Sequence, residues 1–233
     1  MSKQDWKSTP EIEKCKAGDH VCITQRINDV IRLYPEGNPL FGMPNLKLVT
    51  IDSVTIAESS SNAPLQLNFK LFDIKVTGLE NTKVINTKGF EKDTQYHELE
   101  LKIPVIEMTA RYEIDGKLLL LPIKGKDKVK LTLNGLRMIV KHKIVLEKRD
   151  GKNYVKTVKL STFSSPDSVT FNFENLFDGN EELTHATNKV LSENSLDVWP
   201  AISEEFDKGV TETIQKLLGR GMECLSYDEF FAD

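Results

Sequence analysis

One apolar stripe dominates the C-terminal part of the chain: Trp199, Ile202, Phe206, Val210, Ile214, Leu217 and Leu218 recur at steps of three and four. That spacing puts them on one face of an α-helix, with Glu204, Glu205, Asp207, Lys208, Glu212 and Lys216 on the other. A helix with so long an apolar face needs a large apolar partner. Almost everything before it is β-like, so the expectation is an α+β fold in which a highly curved antiparallel sheet wraps a long C-terminal helix.

From Leu48 to about Phe173 the apolar period is two, and turn signals such as Asp115-Gly116 and Asp150-Gly151 join long antiparallel strands. The alternation slips three times. Leu65, Leu67, Phe69 and Leu71 give way to Phe72, Ile74 and Val76; Leu99, Leu101, Ile103 and Val105 to Ile106, Met108, Ala110 and Tyr112; Leu131 and Leu133 to Leu136, Met138 and Val140. A slip of one residue moves the apolar set to the other face, so each marks a bulge or a bend. Three of them predict a strongly coiled sheet, the shape able to enclose a helix.

The strands are flanked by helical pieces. Ile23, Ile27, Val30, Ile31 and Tyr34 have helical spacing and predict a short N-terminal helix ended by Pro35 and Gly37. The stretch after it is broken by Pro39, Gly42 and Pro44 yet carries Leu40, Phe41, Met43 and Leu46, as a lid or plug would. With the first helix, this 38–46 loop is the expected mobile gate. Towards the C-terminus, Asp178 or Asn180 reads as the N-cap of a helix over about 180–194. Pro200 predicts a kink or break between Ser195 and Trp199, with the proline in the first turn of the long helix, which Gly219 and Gly221 end.

Composition narrows the function. The 233 residues contain no linker and read as one domain over 1–233, with 39% hydrophobic and 28% charged residues. A net charge of −4 argues against a nucleic-acid partner. The longest apolar run, Leu118 to Ile123, is far too short to span a bilayer, so no stable membrane insertion is expected. The N-terminus as given has no signal-peptide h-region, which fits either a mature secreted chain carrying an initiator Met1 or a cytosolic protein.

Cys15 and Cys22 are separated by a Gly18-Asp19 turn that can bring them within disulfide range, a link worth roughly 2 to 3 kcal/mol. Two unrelated thiols, or a weak zinc site completed by His20, are the other readings. Cys224 is left over.

No nucleophile elbow, dinucleotide fingerprint, P-loop, zinc-helix motif or C-x-x-C occurs, and His20, His97, His142 and His185 are scattered. Neither enzyme nor cofactor is expected. What stands out is an excess of wide apolar faces: two amphipathic helices, the broken loop, and Met108 and Met138 on strands. These fit an adaptable cavity wall as well as a packed core.

Four ordered segments now carry a resemblance: LNFKLFDIKVTGLENTKV at 67–84, ARYEIDGKLLLLPIKGKDKVKLTL at 110–133, LFDGNEELTHATNKVLSEN at 176–194 with WPAISEEF following, and YDEFF at 227–231. Together with the Cys15, Cys22 pair they resemble the takeout and juvenile hormone-binding proteins of insects over essentially the whole chain. The hormone-binding branch has a second disulfide, for which Cys224 has no evident mate, so the takeout-like branch is the closer resemblance. The resemblance implies a Cys15–Cys22 disulfide and a secreted, haemolymph-type carrier. It also implies a sheet rolled around a helix, an architecture related to the bactericidal/permeability-increasing type of lipid-binding domain.

The implied partner is a small hydrophobic ligand: juvenile hormone, another isoprenoid, a fatty acid or a similar lipid. Burying on the order of 350 Å² of such a ligand contributes roughly 9 kcal/mol before the cost of immobilising it. The expected ligand wall comprises Ile27, Val30, Ile31, Phe41, Met43, Leu46, Met108, Tyr112, Met138, Trp199, Ile202 and Phe206, with Tyr112 giving one polar contact. A monomer is expected. The rivals are a membrane-surface lipid-transfer protein, which the acidic balance disfavours, and a lipid-ester hydrolase, which would depend on a histidine such as His97 or His142.

Overall fold

In the computed structural model, residues 13–38, 43–57, 67–118, 121–222, 226–227 and 231–232 are described. Helix α1 (His20–Leu33) comes first. Strands β1 (Val49–Ala57), β2 (Leu67–Thr77), β3 (Lys83–Gly89), β4 (Tyr96–Leu118), β5 (Leu121–Arg149), β6 (Lys152–Ser165) and β7 (Ser168–Phe173) follow, then α2 (Glu181–Glu193) and α3 (Ser195–Met222). All seven strands belong to one antiparallel sheet ordered β1-β2-β4-β5-β6, with β3 added to β4 and β7 added to β5.

Strands β4 and β5 form the backbone of the sheet, and the two predicted slips on them turn out to be a single bend. Their pairing keeps one register from Tyr96↔Lys143 to Leu118↔Leu121. Yet the buried positions change parity on both at the same place: Ile103 to Ile106 on β4, and Leu133 to Leu136 on β5. The residues between, Pro104-Val105 and Asn134-Gly135, are opposite each other, so both strands turn their faces together and the sheet folds over there.

The neighbours change at the same point. β4 pairs with β3 up to Lys102 and with β2 from Glu107, and β5 pairs with β7 up to Asn134 and with β6 from Arg137. Two glycines hold the bend. Gly135 has φ +58 and a Cβ there would meet Asp167 Oδ2 at 1.9 Å; Gly78 has φ +98 and its Cβ would meet Val105 O at 2.2 Å. The slip on β2 is a bulge of its own: two residues, Asp73 (φ 52) and Ile74, oppose Ala110 alone.

A sheet with seven strands and short β3 and β7 leaves edges, and helices cover them with side chains rather than with strands. From α1, the Asn28 amide donates to Val84 O and accepts from Val84 N, both at 2.8 Å, on the free edge of β3. From α2, Asn188 makes the same pair of bonds with Phe173, Ser192 Oγ accepts from Phe171 N, and Ser195 Oγ at the start of α3 accepts from Val169 N. From α3, Thr211 Oγ1 accepts from Thr162 N and Asp207 accepts from Ser164 N and Ser164 Oγ on β6. Helical spacing of three and four thus meets strand spacing of two.

Some sequence expectations need correction. Asp115-Gly116 is not a turn: both residues lie in β4, paired with Lys124 and Ile123, whereas Asp150-Gly151 does close the β5–β6 hairpin with both φ positive. The break between the last two helices comes at Asn194, before Ser195. Pro200 therefore stands in the second turn of α3, where its missing N–H leaves the carbonyl of Leu196 without its helical donor. The helix also continues through Gly219 and Gly221 to Met222. Asn180 is the N-cap of α2, accepting from Leu183 N. Phe41 and Cys224 lie outside the described residues, and of Leu217 and Leu218 only the helical backbone is described.

Candidate ligand cavity

The bend in β4 and β5 makes a trough, and α1 and α3 close it. Ile103, Ile106, Leu133 and Leu136, the inward residues flanking the bend, form the floor. The bulged strand β2 contributes Leu71, Ile74 and Val76, and β1 contributes Val49, Ile51 and Val54. Together they enclose a cavity of about 390 Å³, within the range of small-molecule sites.

Helix α3 is held across the trough by its bonds to β6 and by Trp199 Nε1, which donates to Ser164 O at 3.2 Å. With the polar edge of the helix fixed in this way, Trp199, Ile202, Phe206, Val210 and Ile214 face the cavity; the Trp199 and Phe206 rings meet edge to face at 5.1 Å. Helix α1 is fixed by Asn28 on β3 and by the disulfide. Cys15 and Cys22 are bonded to each other with Cα atoms 5.7 Å apart. That pairing overturns the zinc reading, since both thiols are consumed, and His20 instead lies 3.6 Å from a Glu91 carboxylate oxygen.

Of the twelve wall residues expected from sequence, Ile27, Ile31, Met43, Leu46, Met108, Met138, Trp199, Ile202 and Phe206 line this cavity. Val30 does not. It is turned about 100° from Ile31 around the helix, so the Ile27–Ile31 row faces inward and Val30 does not join it. Tyr112 is also off the wall: it is 1% exposed, its ring packs edge-on against Phe173 at 5.0 Å, and its hydroxyl donates to Glu174 O at 2.6 Å. The predicted polar contact from Tyr112 is therefore already in use, and burial raises its pKa.

Phe69 lines the cavity with Phe173 6.0 Å behind it, so this aromatic group closes one end and the residues beyond it, such as Ile114 and Leu176, are solid core. Sequence reasoning missed the floor residues. The signal was there, because they are the apolar residues on either side of each slip.

The polarity of the wall is low throughout. Thr82 and Thr213 carry its only hydroxyls among the described residues, and they donate to Leu79 O at 2.6 Å and Gly209 O at 2.8 Å. Among the described residues, no ionisable side chain lines the cavity.

The buried histidines are elsewhere. His97 and His142 are cross-strand neighbours with ring centroids 5.8 Å apart, and His97 is sandwiched between Phe90 and Tyr227 of the C-terminal tail. Tyr227 donates its one hydroxyl proton to Glu91 O at 2.9 Å, so the 3.4 Å contact with His97 Nε2 requires the imidazole to donate. His142 Nε2 is 2.8 Å from Thr157 Oγ1. Burial first, and the neighbouring His142 second, depress His97 to about 3, so it is a neutral core group. Among the described residues there is no cluster of three candidate metal ligands, and no helix is long and apolar enough to cross a membrane.

Comparison with known proteins gives a consistent picture. Residues 2–232 match the family model described as Haemolymph juvenile hormone binding protein (JHBP). Circadian clock-controlled protein daywake of Drosophila yakuba is 29% identical over 231 residues, 94% of this chain and 86% of that protein. Its Drosophila melanogaster counterpart is 29% identical over 229 residues, with the same coverage of 94% and 86%. Takeout 1 of Epiphyas postvittana, whose crystal structure is known, superposes with a TM-score of 0.79 at 25% identity, covering 95% of this chain and 100% of that one.

Proposed function

Because the chain belongs to the haemolymph juvenile hormone binding protein family, we propose that it is a secreted, monomeric carrier that holds one small hydrophobic ligand in the cavity between the bent sheet and helices α1 and α3. One observation carries this reading: about 390 Å³ of space remains open inside a wall of aliphatic, aromatic and methionine side chains, where a core selected only for stability would be filled. The Cys15–Cys22 disulfide supports an oxidising, extracellular setting.

The mechanism is solubilisation by burial. Ligand leaves water for a preformed apolar site and is held by dispersion and the hydrophobic effect, with Met43, Met108 and Met138 adapting to its shape. No bond is made or broken. The ligand contacts we assign are Ile27, Ile31, Met43, Leu46, Met108, Met138, Trp199, Ile202 and Phe206, and α1 with residues 43–46 is the part of the wall a ligand displaces on its way in. Of the histidines on which a hydrolase would rely, His97 is closed off under Tyr227 and His142 is buried beside it against Thr157, and neither lines the cavity, which favours a carrier.

Native mass spectrometry of the purified protein, followed by organic extraction, tests the proposal. A bound neutral or lipidic species, or uptake of one from a lipid panel with one-to-one stoichiometry, is expected. A protein that carries nothing and takes up no member of the panel would refute it.

A further inference from the structure

The hydrogen-bonding inventory of the cavity wall narrows the chemistry of its ligand, on the premise that the carrier reading above holds. We infer that the site selects a neutral, hydrocarbon-rich molecule whose one polar group is a hydroxyl donor, a long-chain or terpenoid alcohol, over the matching ester or carboxylate.

The reason is an asymmetry between donors and acceptors. Every side-chain polar hydrogen the described wall owns is already committed: Thr82 Oγ1 donates to Leu79 O, Thr213 Oγ1 to Gly209 O, and Trp199 Nε1 to Ser164 O. No side chain of the described wall is left to donate to a carbonyl, an ether oxygen or a carboxylate. Among its described residues the wall also holds no Lys, Arg or His to balance a negative charge. The nearby cations on the gate side are engaged elsewhere: Lys47 bonds Glu36 at 2.9 Å, Arg26 bonds Asp29 at 2.9 Å, and Arg32 bonds Asp29 at 3.1 Å.

Acceptors, by contrast, remain. A hydroxyl oxygen that has given away its proton still has lone pairs, so Thr82 and Thr213 can each receive a ligand O–H. The sulfurs of Met43, Met108 and Met138 are weak acceptors besides. An alcohol buried here satisfies its own proton, an ester leaves its oxygens unpaired, and an ionised carboxylate loses its solvation with no partner at all.

The test is competitive displacement of N-phenylnaphthylamine from the full chain at pH 7.5 by three ligands with the same alkyl chain: myristyl alcohol, methyl myristate and myristate. The alcohol is expected to compete best, the ester several-fold less well, and the carboxylate at least about tenfold less well, the scale of an unpaired buried polar group. An ester or carboxylate that competes as well as the alcohol overturns this inference and leaves the carrier reading standing. Failure of the probe and all three ligands to bind would instead sink the carrier reading.

Discussion

Asn28 and Asn188 do the same work at two places far apart in the chain. Each sits on a helix, and each uses its amide as a stand-in for a missing strand, giving a proton to a backbone carbonyl and taking one from the same residue's N–H, at Val84 and Phe173 respectively. Ser192, Ser195, Thr211 and Asp207 extend the device along β7 and β6. None of this was legible in the sequence, where these residues read as ordinary polar helix positions, because a bond from a helix to a strand edge leaves no periodicity in either segment. Its worth is measurable. Ser192→Ala leaves the Phe171 N–H unpaired against the helix, and the midpoint of urea unfolding is expected to fall by the equivalent of about 1 to 3 kcal/mol with an unchanged m-value. A loss within error of zero would mean that water replaces the serine freely and that the edge is not sealed.

At the scale of elements, the slips in the apolar alternation were the informative signal, and their meaning differed from strand to strand. On β4 and β5 they fell opposite each other and became a bend without loss of register, while on β2 the slip became a bulge. A single strand read alone cannot distinguish these outcomes, since both move the apolar set by one residue.

The C-terminal tail is a second element-scale feature. Tyr227 closes over His97, Phe231 bridges to Cys15, and Ala232 N donates to Cys15 O at 2.8 Å, so the tail clasps the disulfide loop that anchors α1. The groups facing His97 are Phe90, His142 and Tyr227, and Glu91 joins through its carbonyl while its carboxylate turns to His20. Burial therefore holds His97 neutral down to about 3, whereas in the unfolded chain it protonates near about 6.5. Between those values the unfolded state binds a proton that the folded state refuses. The stabilisation is complete above about pH 6.5 and is lost as pH falls, and His142, lowered by burial, adds in the same direction. The melting temperature should drop between pH 7.5 and 4.5, and His97→Gln, which cannot titrate, should make that drop shallower. An identical slope in the variant would remove His97 from the account.

For the whole molecule, the sequence pattern was sufficient to expect a curved sheet around a long amphipathic helix, because the period of two and the period of 3.6 each persist over many residues. It was less informative about where the interior is full and where it is open. Tyr112 and Met108 lie four residues apart on the same face of β4, both buried, yet Met108 meets the cavity and Tyr112 is locked to Phe173 and Glu174. Side-chain type is the same for wall and for core; only the bend, set by Pro104-Val105 against Asn134-Gly135, decides between them. The central claim is that this open interior is the binding site. Val210→Trp, which grows the α3 face into the cavity, tests it most directly when N-phenylnaphthylamine binding and thermal unfolding are measured on the same preparation. Filling an existing void without strain predicts an unfolding temperature equal to or above that of the parent and probe affinity reduced by at least about tenfold. A variant that folds equally well and binds the probe as tightly as the parent would contradict it.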